Sequence, residues 1–573
     1  MSAERTTRVA LALCATGAMS AAIEAQSLAP PLADVGFVAA FGLALALAAL
    51  AGRDPTPRWA IPAAFGGTLA LFAGLALELR ADLALAAAIA LAAALVYGAT
   101  DQARRPLAVA ALALWTPAYH FVAPQPPAGP LPALVGLAAI GAALTALAAL
   151  LDRGTPDPAE RVRRVLYALC AIAGSALVAD RHLMVGSRGV APDDAALVLL
   201  VVLAPVVALL PIRTRVRDAA VAGLALLVLS LAGLAFVLGT PYHADTVAAA
   251  HHATELLLAG RPPYEAFDLQ DALARFGLAR ELGTHLVDGS ELRSLSYPSG
   301  AFLLLVPFVA IGLTDVRWVY LAVVLGLALL LVARSGLSPT VVAAALVGNL
   351  VISRQHVLAG TDPTWALLAA VAWLAPRRRW LSAIALGLAV ASRQPAWLIA
   401  PFYLLDVRRR EGGRETARRA AIAAAVALGL QLPFLVASPG AYLAGVLGPA
   451  IEPLAASGVG IVWLGEGGLL PWLPRAAYGA LAAGAFGALL VLLWIRWPRW
   501  RRGVRVFGLL PLFLAWRSLA SYFSFVPLFA LPLAEDGQAS PRRAGTGRTD
   551  HRSPAAHGRP GSGAGDGSSE ASG

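Results

Sequence analysis

The chain has 573 residues, of which 58% are hydrophobic and only 14% are charged, and its mean hydropathy is +0.70. A soluble domain carries about 25% charged residues, so this chain cannot cover a water-facing surface of its size with polar side chains. The formal net charge is +11, but the arginines stand in short clusters between apolar runs, as in membrane proteins that follow the positive-inside rule. We therefore expect a multi-pass protein of the cell membrane, in contact with membrane lipids, and no nucleic-acid partner.

Long runs of Ala, Leu and Val fill the first part of the chain. Their length suits a hydrocarbon core roughly 30 Å thick. Backbone polar groups in lipid must be satisfied within the segment, so we predict that these runs are helices. The predicted spans are 9–29, 32–51, 60–79, 83–99, 107–122, 131–151, 165–184, 195–212 and 219–239.

The loops between these spans alternate in charge. The loops after the second, fourth, sixth and eighth spans contain arginine clusters, whereas the other loops are nearly free of arginine. Because basic loops stay in the cytoplasm, the N-terminus is predicted to be cytoplasmic and the ninth span to end outside. The arginines concerned are Arg53, Arg58, Arg104, Arg105, Arg153, Arg161, Arg163, Arg164, Arg213, Arg215 and Arg217.

Residues 240–298 form the longest polar stretch between spans, and the alternation places them outside. Apolar side chains recur at helical spacing in 245–259 and again in 266–282. Two amphipathic helices lying on the membrane surface are therefore predicted in this extracytoplasmic loop.

Further apolar runs follow this loop. They predict spans at 300–313, 317–333, 339–356, 363–376, 380–404, 420–437, 475–495, 504–516 and 518–533, with a basic cytoplasmic loop at 408–419 and a second outside loop at 438–474. Residues 535–573 are rich in Gly, Ser, Arg and Pro and predict a disordered cytoplasmic tail. The predicted fold is an all-α polytopic integral membrane protein of roughly eighteen transmembrane helices.

Three motifs mark the outside loop 240–298. Asp245 stands where the ninth span leaves the membrane, a leucine-rich segment follows and ends in Pro263-Tyr264, and Tyr297-Pro298-Ser299 precedes the next apolar run.

Two more motifs lie downstream. Gly360-Thr361-Asp362-Pro363 precedes an apolar run and a basic turn, and Gly387–Pro395 contains the sequence Arg393-Gln394-Pro395.

In order and spacing, these five motifs resemble those of GT-C glycosyltransferases, most closely the polyprenol-phosphate-mannose-dependent group, glycosyltransferase family 87. The resemblance covers roughly residues 219–440, and residues 1–218 have no counterpart in it. At Ser299 the chain departs from the family, which usually has a second proline there.

The resemblance implies a GT-C-like module at 219–534, preceded by transmembrane helices of unknown role at 1–218. Such a module transfers a sugar, here a mannose-like hexose or a pentose, with inversion, from a polyprenyl-phosphate donor to an extracytoplasmic glycan or lipid acceptor. No cofactor is needed beyond this lipid-linked donor. Asp245 is the candidate general base, and the candidate substrate-binding residues are Arg393, Gln394, Tyr264, Tyr297, Asp362 and Arg517.

The chemistry of this transfer also favours Asp245 and Arg393. A base must take the proton from the acceptor hydroxyl, and a cation must neutralise the departing phosphate, for which arginine offers a bidentate fork. Arg393 lies inside an apolar run, where a charge costs roughly 2.5–3.5 kcal/mol on insertion scales and indicates function. Pro395 predicts a break in the helix beside it.

Two topologies remain open for 380–404. If it is a single span, Arg377–Arg379 fall outside and Asp362 inside. If it is a re-entrant hairpin with Arg393 at its outer tip, those arginines return to the cytoplasm, but one earlier crossing is left unpaired.

Each site residue also has a structural interpretation. Asp245 could cap the following helix, Asp362 could begin one, and Tyr264 and Tyr297 could be interfacial aromatics. Arg517 could extend its guanidinium to the membrane surface instead of binding phosphate. His251 and His252 are expected on a solvated helix face rather than in a metal site.

The main alternative function is a transporter or lipid-carrier flippase, because broken helices and buried charge suit both classes. The absence of a visible repeat and the long outside loop favour the enzyme. A non-catalytic scaffold derived from such an enzyme is a third alternative.

Overall fold

The computed structural model describes residues 2–25, 32–78, 83–118, 130–185, 192–210, 212–466 and 468–533. In this part of the chain the structure is mostly helical, which confirms the predicted all-α class. The segment 535–573, predicted to be a disordered tail, lies outside the described residues.

The first part of the chain folds into helices that overlap all nine predicted spans. Prolines begin α6, α7 and α8, a position where the missing N–H costs no helical hydrogen bond. The helices are α1 (Ala3–Ala25), α2 (Leu32–Ala51), α3 (Ala60–Glu78), α4 (Leu83–Ala99), α5 (Arg105–Trp115), α6 (Pro130–Leu151), α7 (Pro158–Val185), α8 (Pro192–Leu209) and α9 (Thr214–Gly239).

The middle of the chain alternates short and long helices. They are α10 (Asp245–Leu258), α11 (Pro263–Ala266), α12 (Leu269–Arg275), α13 (Gly300–Leu303), α14 (Val306–Ala310), α15 (Arg317–Arg334), α16 (Pro339–Val347), α17 (Leu350–Ile352) with a π-helical turn at Ser353–Leu358, and α18 (Thr364–Leu374).

The last part contains five longer helices, several short ones and a two-stranded ladder. The elements are α19 (Arg379–Ser392), α20 (Pro395–Glu411), α21 (Gly413–Ala437), α22 (Pro439–Ile451), β1 (Ser457–Gly458), α23 (Ile461–Glu466), α24 (Arg475–Trp500), α25 (Val504–Phe507), β2 (Arg517–Ser518), α26 (Ala520–Phe523) and α27 (Val526–Ala530).

Among the described residues, five helices are long and apolar enough to cross a membrane. They lie in α1, α9, α15, α21 and α24, and the bent pair 339–347 and 350–358 would make a sixth. The prediction of roughly eighteen transmembrane helices is therefore not confirmed, because many of the other apolar helices are shorter than a span.

One hydrophobic core joins the N-terminal helices to the rest of the chain. It runs from Val9 in α1 to Leu531 after α27. Helix α1 lies in its centre, and Gly17 approaches so closely that an added Cβ would lie 2.2 Å from the Ala113 carbonyl oxygen in α5. Small residues let helix backbones approach in this way, so residues 1–218 and the later helices pack as neighbours with a shared interior.

The predicted span at 300–313 is wrong. The segment forms the short helices α13 and α14, and Gly312 turns the chain with φ of +94°, a conformation that glycine adopts readily. Gly300 packs against the backbone of Ala391, while the amide of Val316 donates to the Tyr242 hydroxyl at 3.1 Å. Both ends of the segment therefore lie beside loop 240–298, and the segment does not cross to the other end of the bundle.

The run 380–404 folds as a helical hairpin rather than one continuous helix, as the second of the two predicted topologies requires. Helices α19 and α20 are antiparallel, because Ser382 hydrogen-bonds the Tyr403 hydroxyl and Arg379 lies 3.5 Å from Glu411. Arg393 sits at the tip between them with an extended backbone. Pro395 explains the break, since it has no amide to donate to the Ala391 carbonyl and instead begins α20, a position that proline favours.

Loop 240–298 has its own small core rather than two helices lying on a membrane surface. The predicted helix 245–259 is present as α10, but both its faces are largely covered by Tyr242, Tyr264, Phe267 and neighbouring residues. The second predicted helix, 266–282, is wrong in extent, because only Leu269–Arg275 is α-helical.

Candidate active site

A cavity of about 550 Å³ lies at the end of the bundle that carries loop 240–298. Its wall is assembled from the start of α10, the tip of the α19–α20 hairpin, the π-helical turn and the β1–β2 ladder. Among the predicted site residues, the structure brings five together in this wall: Asp245, Tyr297, Arg393, Gln394 and Arg517.

Asp245 is half-buried at the first position of α10. Its Oδ2 accepts hydrogen bonds from the Thr284 amide at 3.1 Å and from the Thr284 hydroxyl at 2.6 Å. The carboxylate makes no capping bond to its own helix, whose N-cap is Ala244. The structural interpretation of Asp245 as an N-cap is thus wrong, and the contacts instead orient a carboxylate at the cavity wall.

Arg393 is only 4% exposed, and its guanidinium has no hydrogen-bond or ion-pair partner among the described residues. Its Nη1 is fully buried. A buried donor without a partner costs about 1–3 kcal/mol, and more when it is charged, so a charged group left in this state is expected where a ligand completes it. An anion in the cavity would supply the missing acceptor.

The ring of Tyr297 covers the Arg393 guanidinium, with the Arg393 Cζ 4.4 Å from the ring centroid. Burial raises the pKa of the Tyr297 phenol, and the Asp245 carboxylate raises that pKa further. The phenol therefore stays neutral at physiological pH, and the contact is a cation–π interaction that holds the arginine fork in place.

Gln394 and Tyr264 donate hydrogen bonds to the backbone at and just before Tyr297. Gln394 Nε2 donates to the Ser296 carbonyl at 2.7 Å, and the Tyr264 hydroxyl donates to the Tyr297 carbonyl at 2.7 Å. Tyr264 is 6% exposed and does not line the cavity, since its ring packs against Phe302 and Tyr442. Its substrate contact therefore stays a prediction, whereas its observed contacts fix the position of Tyr297.

Asp362 lies behind the cavity wall rather than in it. It is 1% exposed, and its Oδ1 accepts from the Thr364 amide at 2.8 Å at the start of α18. Its Oδ2 has no hydrogen-bond partner within the described part of the chain. Asp362 therefore lies two residues before the first residue of α18, Thr364. It leaves one carboxylate oxygen buried near Arg393, with which it interacts electrostatically.

Arg517 reaches the cavity through the β1–β2 ladder. The two strands pair in parallel, with Ser457 opposite Arg517 and Gly458 opposite Ser518. Gly458 has φ of +140°, and an added Cβ would lie 2.3 Å from the Ser518 backbone, so only glycine fits this close approach. Arg517 Nη1 donates to the Ala455 carbonyl at 3.1 Å, which leaves the rest of its fork beside the cavity.

Several polar residues of the cavity were not predicted from the sequence. They lie outside the five motifs or at motif positions that carry no charge, so neither spacing nor charge distinguishes them. They are Thr284, Ser294, Gln355, Thr361, Ser521 and Tyr522.

His251 of α10 does not lie on the predicted solvated face. His251 is 2% exposed, and its Nδ1 hydrogen-bonds the Tyr242 hydroxyl at 3.0 Å. Burial lowers its pKa from 6.5, so the ring is neutral at physiological pH. Its role is to hold α10 against the turn that follows α9.

No protein-family model, no curated protein and no solved structure matches this chain. The functional proposal therefore depends on the residues of the cavity and on the motifs in the sequence.

Proposed function

We propose that the chain is a membrane glycosyltransferase that moves a sugar from a polyprenyl-phosphate donor to an extracytoplasmic glycan or lipid acceptor, with inversion. The observation that carries the proposal is that a proton acceptor and a phosphate-binding cation line the same cavity. Asp245 presents an oriented carboxylate, and Arg393 presents a buried cation whose Nη1 lacks a partner. Such a pair suits a reaction that takes a proton at one point and releases a phosphate at another.

In this proposal Asp245 accepts the proton of the acceptor hydroxyl while that oxygen bonds to the anomeric carbon. The bond between the anomeric carbon and the phosphate oxygen breaks, and both its electrons leave with the polyprenyl phosphate. Arg393 then binds the negative charge that develops on the phosphate through its two-pronged guanidinium. The Tyr297 ring, whose centroid lies 4.4 Å from the Arg393 Cζ, holds the guanidinium at the cavity wall.

The proposed orientation places the cavity outside the cytoplasm. Arginine-bearing segments meet at the opposite end of the bundle, where Arg8 lies 2.9 Å from Asp54 and Arg502 lies 3.0 Å from Asp54. Arg5 Nη2 also reaches the Ser335 carbonyl there, at 3.1 Å. Because clustered arginines stay in the cytoplasm, this end is assigned to the cytoplasm and loop 240–298 to the outside.

The bent helix at 339–358 favours a second candidate, a transporter or flippase. The two halves of this helix meet at 59°, and broken helices often form the substrate sites of transporters. The two functions differ in one measurable respect, because a transferase makes a new glycosidic bond and a transporter leaves its substrate chemically unchanged.

The test is a transfer assay with purified protein in liposomes. The liposomes carry one radiolabelled polyprenyl-phosphate sugar at a time, from a panel of hexoses and pentoses, together with a glycolipid extract as acceptor. Wild type is compared with Asp245→Asn and Arg393→Ala. Asp288→Asn is the matched control, because this exposed loop carboxylate bonds only within its own turn, to Ser290.

Removal of the base is expected to lower transfer on the order of 10²- to 10⁴-fold, with the Asp288→Asn protein unchanged. Full transfer by the Asp245→Asn protein would overturn the base assignment. If wild type transfers none of the sugars but moves an intact labelled lipid across the bilayer, the transporter replaces the enzyme as the function.

A further inference from the structure

The bent helix 339–358 breaks beside the candidate cavity and continues as a π-helical turn. This turn, Ser353–Leu358, is a rare form of helix that often marks a functional site. Gln355 in the turn lines the cavity, and so does Thr361 three residues after its end. The turn therefore decides where an amide and a hydroxyl stand relative to Asp245 and Arg393.

An ion pair with an N-terminal helix holds this turn. Arg354 Nε donates to Asp180 Oδ1 of α7 at 2.6 Å, and Arg354 Nη2 lies 2.5 Å from the same oxygen. Asp180 is fully buried. Arg354 Nη1 also reaches the Ile23 carbonyl in α1, at 3.4 Å. Arg354, which directly precedes Gln355, is thus bound by two helices of the 1–218 segment, α7 and α1.

The break itself is also completed by an N-terminal residue. Ser20 of α1 donates to the Gly348 carbonyl at 2.6 Å and accepts from the Leu350 amide at 3.0 Å, so its hydroxyl satisfies backbone groups that the bend removes from the helix. An added Cβ at Gly348 would lie 2.9 Å from the Leu114 side chain of α5. The bend therefore fits closely against the N-terminal helices.

The turn is connected in the other direction to the cavity wall. His356 hydrogen-bonds the Thr361 carbonyl at 2.7 Å through Nδ1 and the Ser524 hydroxyl at 2.6 Å through Nε2. The Thr361 amide donates to the Gln355 carbonyl at 2.8 Å. Arg354 directly precedes Gln355, and the Gln355 carbonyl binds the Thr361 amide, so a displacement of Arg354 would also displace both cavity residues.

We propose that Asp180 and Arg354 are positioning residues, through which the N-terminal helices set the π-helical turn and aim Gln355 and Thr361 at the hydroxyls of the bound sugar. A buried ion pair is weak evidence for stability, because apolar residues of similar volume often serve as well, and its best-attested use is to select one arrangement. The sugar as ligand rests on the proposed function, whereas the control of the turn by Asp180 does not. Residues 1–218 thereby become part of the site.

The first arm of the test measures the turn without any substrate. The chain has two cysteines, Cys14 and Cys170, and both are buried, so Gln355→Cys gives a single accessible reporter. Its rate of reaction with a water-soluble thiol reagent is compared alone and combined with Asp180→Asn. The matched control is Glu160→Gln, which removes the 2.5 Å ion pair to Arg217 from the same helix, α7.

We expect Asp180→Asn to change the labelling rate by a factor on the order of 10, because it removes one partner of the buried ion pair that selects the observed arrangement of the turn. Glu160→Gln is expected to leave the rate unchanged. Arg354→Lys serves as a second variant if Asp180→Asn does not fold. An unchanged labelling rate in a folded Asp180→Asn or Arg354→Lys protein overturns the proposal.

The second arm measures transfer. We expect Asp180→Asn to lower kcat by about 10- to 100-fold, as misplaced contacts around a reacting group do, with KM for the donor little changed. Because removing one partner of a buried ion pair also destabilises the fold, kcat is measured well below the melting temperature of each variant. Asp180→Glu, which keeps the charge, is expected to restore part of kcat. Equal kcat in wild type and Asp180→Asn would contradict the positioning role. A changed labelling rate in a protein that transfers no sugar would keep the turn control and refute the proposed function.

Discussion

Gly300 offers the sharpest test of the candidate site, because it joins two of its walls. An alanine Cβ at this position would lie 2.6 Å from the Ala391 carbonyl oxygen and 3.0 Å from the Ser392 amide nitrogen. The first separation must grow by 0.4 Å to reach 3.0 Å, below which real Cβ contacts are essentially never found, and by 0.8 Å to reach 3.4 Å, an ordinary contact. Both neighbours are backbone atoms, so no side chain can rotate away.

Either direction of movement disturbs the same contact. If the hairpin yields, Arg393 moves, since it follows Ser392 directly. If α13 yields, Tyr297 moves, since it stands three residues before Gly300. In both cases the 4.4 Å stacking of Tyr297 on Arg393 is altered. A shift approaching 1 Å near reacting groups costs up to about 10²-fold in rate, and we expect Gly300→Ala to lose on the order of 10-fold in kcat.

The assay compares kcat for transfer and the melting temperature of each variant in detergent. Gly440→Ala is the matched control, because an added Cβ there meets nothing within 4 Å and the substitution is otherwise identical. Overpacking typically costs about 1–3 kcal/mol, so Gly300→Ala is also expected to melt earlier than the control. Wild-type kcat in the Gly300→Ala protein would show that the hairpin tip does not set the geometry of the reaction.

Three further predictions follow from individual contacts. Thr284→Val removes the 2.6 Å hydrogen bond to Asp245 and should lower kcat on the order of 10-fold, because a hydrogen bond to a charged group contributes about 1.5–3 kcal/mol, whereas Thr284→Ser should retain activity; equal loss in both would assign the effect to packing. Burial lowers the pKa of His251 in the folded chain below the value of 6.5 that it has when unfolded. Below about pH 6.5 the unfolded chain therefore binds more protons, and the melting temperature should fall as the pH drops. His251→Phe should flatten that dependence. Asp288→Cys should react with an impermeant thiol reagent on intact cells and Arg378→Cys only after permeabilisation, and the reverse pattern would invert the proposed orientation.

The first nine helices could be predicted from the sequence because one property determines them. Long apolar runs form helices wherever backbone groups cannot reach water, and proline or arginine marks where each run begins. Helix α8, for example, begins at Pro192 and ends before the arginines at 213–217. Composition alone sufficed here, since each run has only one way to satisfy its backbone.

The segment 300–313 shows where composition fails. This segment is as apolar as a short span. Hydropathy predicts that such a segment is shielded from water, but it does not predict whether the segment crosses from one end of the bundle to the other. Pro307 and Gly312 were the available signals, because proline limits a helix and glycine permits a turn. The close packing of Gly300 against Ala391, which holds the segment at one end, joins residues far apart in sequence and leaves no local pattern.

The candidate site also contains residues that the sequence predicts and residues that it does not. Arg393 could be predicted because a charge inside an apolar run is costly enough to require a reason, and Asp245 because it begins a polar loop. Thr284 and Gln355 could not, since neutral polar residues are ordinary in a loop or near a helix end. Tyr264 was assigned to the substrate because a motif contained it, whereas its hydroxyl serves the backbone of Tyr297.

A crossing at 300–313 and a single span at 380–404 have opposite effects on the assigned side of the later helices. The prediction of a crossing at 300–313 reversed the assigned side of every helix up to 380–404, and the interpretation of that hairpin as one span would have reversed it again. When the segment at 300–313 stays at the outer end and 379–411 turns back at Arg393, Arg377–Arg379 join the basic loop 408–419 under the proposed orientation. Asp362, Arg393 and Arg517 then all lie at the end that holds Asp245. The same correction thus collects the arginine clusters at one end of the bundle, proposed to be cytoplasmic, and the cavity at the other end, proposed to be outside. Neither competing topology gave this arrangement while 300–313 was counted as a span.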